Sequence, residues 1–162
     1  KAAGEIIDRL LAPGGVAIVD PAMADNGKLY SGFDEDYVRS IGSLAGKADI
    51  ILPNVTEAAI LSGLPYQENI DKNYVNQLLN GLNHPCAVLT GVDFDEDSTG
   101  IVLQEGTVQH EYRHKRIGTG CHGTGDIFAA VFTGALMQGK NRLDAAPLPI
   151  GTASNLSRLC RS

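Results

Sequence analysis

Apolar and polar positions along this 162-residue chain alternate between a helical and an extended rhythm. Residues 1–11 are amphipathic at helical spacing, and Pro13-Gly14-Gly15 ends that pattern. Residues 16–20, Val-Ala-Ile-Val-Asp, are apolar on both faces, which suits a buried parallel strand better than a half-wet antiparallel one. A helical pattern over 34–46 leads to a second buried strand at 49–52, with Pro53 at its exit. Asn54 then opens a helix with Glu57 three residues on, a capping-box-like start, and Gly63-Leu64-Pro65 ends it. Over 71–82, Tyr74, Val75, Leu78, Leu79 and Leu82 share one helical face. His84-Pro85 breaks this helix before a third buried strand at 86–90. The acidic segment from Asp93 to Ser98 reads as a solvated loop, and 101–103 with 107–112 as a hairpin around Glu105-Gly106. A last helix begins at Gly123, its stripe set by Ile127, Phe128, Val131, Phe132, Ala135 and Leu136.

Strand alternating with helix predicts an α/β domain with a mainly parallel sheet. Ligands of such sheets bind at the carboxyl ends of the strands. Asp20, Pro53-Asn54 and Thr90-Gly91 are therefore expected on one rim, beside the start of the Gly123 helix.

Composition narrows the function classes. Apolar residues at 43% and charged ones at 20% are ordinary for a globular domain and exclude disorder. No apolar run approaches the roughly 18 residues of a membrane helix, so no membrane partner is expected. With 19 acidic against 13 basic side chains and a charge of −6, no basic face is available for nucleic acid. Cys86, Cys121 and Cys160 share no CxxC spacing and read as reduced thiols, which places the protein in the cytoplasm. The chain opens inside a helical pattern without an initiator Met, and turns proline-rich after Ala146. The expectation is a fragment: a domain over 1–146 and an atypical tail over 147–162.

Gly118-Thr-Gly-Cys-His-Gly-Thr-Gly-Asp126, opening into an apolar helix, carries most of the candidate chemistry. Glycines allow close backbone approach, and a helix start offers free N–H groups at the positive end of its dipole, so the segment suits a phosphate. A carboxylate there repels the guest unless Asp126 removes a proton from the hydroxyl attacking that phosphate. The alternative is a Gly-rich loop whose Asp caps the helix. Asp20 and Asp25 sit five residues apart in Asp20-Pro-Ala-Met-Ala-Asp25-Asn-Gly-Lys-Leu-Tyr30, where they could bind a hard cation or simply form a turn. Asn54 and Glu57 pose the same choice between helix cap and support for metal and phosphates. The histidines lack ligand-spaced partners for zinc. The run Arg113-His-Lys-Arg116 reads either as a solvated face or as a nucleotide contact.

Taken in order, these segments resemble the ribokinase-like superfamily, most closely its pyridoxal/pyridoxine/pyridoxamine kinases. The resemblance rests on Val19-Asp-Pro-Ala-Met-Ala-Asp25 with Gly27-Lys-Leu-Tyr30, on Ala48-Asp-Ile-Ile-Leu-Pro-Asn-Val-Thr-Glu-Ala58 with Leu61-Ser-Gly63, and on Gly123-Thr-Gly-Asp-Ile-Phe128. It implies a three-layer α/β/α fold with a mainly parallel central sheet, lacking its amino-terminal part. It also implies ATP-dependent phosphorylation of the 5′-hydroxymethyl group of a B6 vitamer. Asp126 would be the base, and the amides of Gly123, Thr124 and Gly125 the anion hole for the transferring phosphoryl group. Asp25 and Glu57 would act through Mg²⁺ and its waters, and Asp20 and Asn54 would shape the phosphate and cation region. Thr90 would contact nucleotide, and Tyr30 would lie near substrate and phosphate. A monovalent cation and a homodimer also belong to what the resemblance suggests.

Departures keep other readings open. Leu52 stands where some members have Thr, and Ala22 and Ala24 replace the commoner Val and Gly. His122 before Gly-Thr-Gly is similar to the related hydroxymethylpyrimidine kinases, but those usually carry Cys where this chain has Asp126. The alternatives are a hydroxymethylpyrimidine or sugar kinase of the same superfamily, or an inactive nucleotide-binding fragment.

Overall fold

Helices begin in this molecule where a side chain can accept an otherwise free first-turn amide. The computed structural model describes residues 2–116 and 124–148. Asp34 accepts from the Tyr37 amide at 2.9 Å and starts α2 (Glu35–Ala45). Asn54 accepts from the Glu57 amide at 2.9 Å and starts α3 (Val55–Ser62). Asp71 accepts from the Tyr74 amide at 2.7 Å and starts α4 (Lys72–Leu82). Ahead of them lies α1 (Ala2–Leu10), joined to the end of α2 by an ion pair between Asp8 and Lys47. Behind them come α5 (Thr124–Met137) and the short α6 (Arg142–Ala145).

The main sheet contains β1 (Ile18–Val19), β4 (Ile50–Ile51), β5 (Cys86–Asp93), β6 (Ser98–Glu105) and β7 (Val108–Lys115), in that spatial order. A separate ribbon pairs β2 (Ala24–Asp25) with β3 (Lys28–Leu29). Ile18 stands beside Ile50 and Ile51 beside Ala87, both in parallel ladders. β5 with β6 and β6 with β7 pair antiparallel, so β7 again runs with β1, β4 and β5 and only β6 opposes them. The expected mainly parallel sheet is present. β6 reverses because the links at 94–97 and 106–107 are too short for the crossover that a parallel neighbour requires.

Period-two alternation sends each strand's side chains to two opposite cores. Ile51, Ala87, Leu89 and Val102 face a core completed by Ala58, Ala59, Tyr74, Leu78 and Leu79 from α3 and α4. Ile50, Leu52, Val88, Ile101 and Leu103 face the other, filled by Phe128, Phe132 and Ala135 of α5 with Ala145 and Ala146. Sheet between two helical layers is the α/β/α arrangement expected. Three details differ from the sequence reading. β1 and β4 are only two residues long, the β6–β7 hairpin is longer than the expected runs, and β2–β3 is a hairpin where the sequence predicts only a turn. Asn26 and Gly27, with φ of +49° and +75°, form its two-residue loop, the left-handed pair that a tight primed turn demands.

Among the described residues no helix is long and apolar enough to cross a membrane. The predicted tail beyond residue 148 and the loop over 117–123, with Gly123, Cys121 and His122, lie outside the described residues, as does Cys160.

Candidate active site

β1 and β4 run in one direction and deliver Asp20 and Pro53-Asn54 to the same rim of the sheet. β5 adds Thr90, whose amide donates to the Pro53 carbonyl at 2.9 Å and which bridges to Asn54 in parallel register. A bulge between Thr90 and Val92 interrupts the β5–β6 ladder at this point. The first turn of α5 supplies Gly125 and Asp126. Together with Ala22, Tyr30, Leu52, Glu57 and Phe128 these residues line one cavity of about 120 Å³. Ligand pockets usually measure roughly 300–1,000 Å³, so this cavity is small by comparison. The expectation that Asp20, Asn54 and Thr90 meet the start of the last helix is met.

Glu57 organises the wall. It is 2% exposed, and its Oε1 accepts from the Met23 amide at 2.9 Å and the Ala24 amide at 3.4 Å. Its Oε2 accepts from the Asn54 amide at 2.9 Å, which completes a capping box. Asn54 also donates through Nδ2 to the Ala24 carbonyl at 2.8 Å. Tyr30 follows the hairpin and donates its amide to the Met23 carbonyl at 3.0 Å. Its ring lies 6.4 Å from Phe33, which stacks on Tyr37 at 3.9 Å. Ala22 occupies the left-handed region at φ +37°, a strained conformation for a residue with a Cβ.

Electrostatically the cavity is acidic. Burial pushes the Asp20 carboxyl up, the Ala22 amide pulls it back, and Asp126 raises it further. Burial also raises Glu57, against the three amides that it accepts from, with Asp20 adding a smaller upward push. The Tyr30 phenol is raised by burial and then by Asp25, Glu57, Asp20 and Asp126. A carboxyl raised in the folded state gives stability that is present below its ordinary value of 3.8 and is lost as pH rises through the folded value. Asp20→Asn is therefore expected to gain stability relative to the parent between about pH 4 and pH 7. Urea midpoints at both pH values check this, and a pH-independent difference contradicts it.

Two described site residues, Asp25 and Thr124, are absent from the cavity lining. Asp25 is exposed and absent from the cavity lining; its Oδ1 accepts from the Asn26 amide at 2.9 Å and its Oδ2 from the Asn26 side chain at 3.0 Å. Gly123 lies outside the described residues. Among the described residues no three His, Cys, Asp or Glu side chains gather as a metal cluster. The basic run is engaged locally: Arg113 pairs with Glu111 at 2.6 Å and lies 4.1 Å from the Phe94 ring centre, and Arg116 pairs with Asp93 at 2.7 Å. A second cavity, of about 410 Å³, lies at the opposite end of the strands between Val16, Ile50, Glu105, Leu136 and Arg142. It brings no paired carboxylates to a helix start.

The sequence model of the family described as phosphomethylpyrimidine kinase matches residues 2–148. The chain belongs to that family. Among solved structures, a Bacteroides thetaiotaomicron protein provisionally named a phosphomethylpyrimidine kinase, crystallised with pyridoxal, is 28% identical with a TM-score of 0.83, over 91% of this chain and 54% of that one. Pyridoxal kinase from Lactobacillus plantarum is 36% identical with a TM-score of 0.70, over 82% and 48%. Pyridoxal kinase from Leishmania donovani, solved with ADP and pyridoxamine, is 25% identical with a TM-score of 0.75, over 94% and 52%. This phosphomethylpyrimidine kinase family chain thus spans about half the length of the structures it matches. No curated protein matches its sequence. The resemblance to ribokinase-like vitamin kinases is borne out at the level of family and fold.

The hairpin that shapes the wall is the feature the sequence reading missed. Asn26-Gly27 between two short runs was the available signal.

Proposed function

We propose that this chain carries the phosphoryl-transfer half of an ATP-dependent kinase whose acceptor is the 5′-hydroxymethyl group of pyridoxal, pyridoxine or pyridoxamine. One observation carries the reading: Asp126 and Gly125, in the first turn of α5, share a cavity with Asp20, Asn54 and Thr90. First-turn amides and the helix dipole favour a phosphoryl group, while an exposed carboxylate beside them can meet an incoming alcohol.

Asp126 accepts the hydroxyl proton as the acceptor oxygen bonds to the γ-phosphorus. The bond from that phosphorus to the β,γ-bridging oxygen breaks, and ADP departs with the electron pair. The amides of Thr124 and Gly125, in the first turn of α5, would stabilise charge on the equatorial oxygens. Tyr30, its phenol raised by burial and then by four carboxylates, stays protonated and is available to donate a hydrogen bond to a ligand. Leu52 and Phe128 supply the apolar part of the lining and exclude water. Thr90, which lines the same cavity, would contact the nucleotide.

A polyanion entering a cavity lined by Asp20, Glu57 and Asp126 requires a cation, and carboxylate oxygens match a hard one such as Mg²⁺. Asp20, in the cavity wall, would hold it, and it would neutralise charge on the phosphates.

The acceptor assignment is supported by the pyridoxal and pyridoxamine bound in the two relatives. The family's own description favours a second reading, a hydroxymethylpyrimidine as acceptor. Coupled ADP release with ATP and each of pyridoxal, pyridoxine, pyridoxamine, hydroxymethylpyrimidine and ribose separates them. The expected result is highest kcat/KM on a B6 vitamer. Preference for the pyrimidine or the sugar overturns the acceptor assignment.

A further inference from the structure

Between the β2–β3 hairpin and α2 the chain turns sharply once. Tyr30 to Phe33 form a four-residue turn, closed by the Phe33 amide donating to the Tyr30 carbonyl at 3.1 Å, and Gly32 at its third position has φ +88°. A positive φ at that position is what a type II turn requires, and glycine meets it at no steric cost. The turn folds Phe33 back beside Tyr30, so that their ring centres lie 6.4 Å apart at 57°. Phe33 is also the residue ahead of Asp34, the N-cap of α2. Its ring stacks on Tyr37 at 3.9 Å and 10°, across the cap that Asp34 makes with the Tyr37 amide. Apolar side chains that bracket a cap fix the angle at which the chain enters its helix. One row of rings thus joins the cavity, which Tyr30 lines, to the first turn of α2, which holds Tyr37.

We propose that Phe33 is a positioning residue that holds the Tyr30 side chain at the cavity, and that Phe33 takes its own place from Tyr37. Tyr30 is 47% exposed, so burial in the core does not settle its rotamer. An exposed side chain samples several staggered rotamers unless a neighbour selects one. Aromatic pairs with centres within about 7 Å prefer particular geometries, and the tilted Tyr30–Phe33 pair lies in that range. Phe33 and Tyr37 are both half-buried, and their close stack leaves Phe33 little freedom of its own. Phe33 is not part of the cavity lining, so it acts through Tyr30 and not on a ligand.

The inference rests on the kinase reading only where turnover is measured. Three-bond NMR couplings to the aromatic Cγ of Tyr30 report its χ1 rotamer in the purified chain, with no substrate present. One dominant rotamer is expected in the parent and in Phe33→Tyr, which keeps the ring. Phe33→Leu removes the ring but keeps an apolar residue before the cap, and its Tyr30 is expected to average among rotamers. Tyr37→Leu removes the other half of the stack and is expected to do the same; it serves as the test if Phe33→Leu does not fold. In the active enzyme, Phe33→Leu is expected to lower kcat/KM on the vitamer about threefold to tenfold. Tyr30→Phe is expected to lower it about tenfold or more, by removing the phenol's hydrogen bond to the ligand. Adding Phe33→Leu to Tyr30→Phe is then expected to cost less than about twofold further, since the hydroxyl that Phe33 places is already gone. A Tyr30 rotamer unchanged by Phe33→Leu, or already averaged in the parent, overturns the inference even for a chain without turnover. So do losses that multiply in the double variant.

Discussion

Asp126→Asn is expected to lower turnover on a B6 vitamer by about 10²–10⁴-fold, the usual range for losing a positioned general base. The substitution keeps size and shape at an exposed position in the first turn of α5, so folding is expected to be unaffected. Nucleotide affinity is expected to hold or rise slightly, because a negative charge leaves a cavity that already contains Asp20 and Glu57. The loss therefore falls in kcat and kcat/KM together, as for an interaction made in the transition state alone. ADP release at saturating ATP and pyridoxal checks it. A variant with full rate would show that the carboxylate is a helix-start residue and nothing more.

Gly100→Ala carries the largest expected loss of stability. Gly100 lies in β6, beside Val92 of β5 and opposite Arg113 of β7. A Cβ there would meet the Tyr112 carbonyl oxygen at 2.0 Å, its carbonyl carbon at 3.0 Å and the Arg113 Cα at 3.1 Å. These are backbone atoms of a paired strand, so no side chain can swing aside. The ladder must open, at a cost of about 3 kcal/mol, the upper part of the overpacking range. Gly134→Ala is the control: it lies in α5 with nothing within 4 Å of its added Cβ. It is expected to stabilise by up to about 1 kcal/mol through helix propensity. Urea midpoints give both values, and equal midpoints for the two variants would contradict the β6–β7 register.

What could be read from sequence was what short-range chemistry determines. Asp34, Asn54 and Asp71 announce their helices because a cap needs only the next three residues. The residues at the ends of β1, β4 and β5 were legible as a rim because parallel strands share direction. The hairpin was not, since Asp25-Asn26-Gly27 serves equally as a plain turn, and only pairing of Ala24 with Leu29 distinguishes the two. The partners of Glu57 were out of reach for a different reason. Its local capping box is visible in Asn54-Val-Thr-Glu57, but the Met23 and Ala24 amides arrive through tertiary packing. The basic run shows the same limit: Arg113 and Arg116 meet Phe94 and Asp93 across the sheet edge, contacts set by strand register.

Whether the rim at Asp20, Asn54, Thr90 and Gly125 receives the reacting end of a nucleotide is tested most directly by NMR. The measurement is a titration of the ¹⁵N-labelled chain with magnesium and AMP-PCP, a non-hydrolysable triphosphate. Saturable amide shifts centred on Thr90, Gly125 and Asp126 and extending to Asn54 are the predicted result. Shifts confined to the opposite cavity around Val16, Leu136 and Arg142, or none at millimolar nucleotide, would contradict the account.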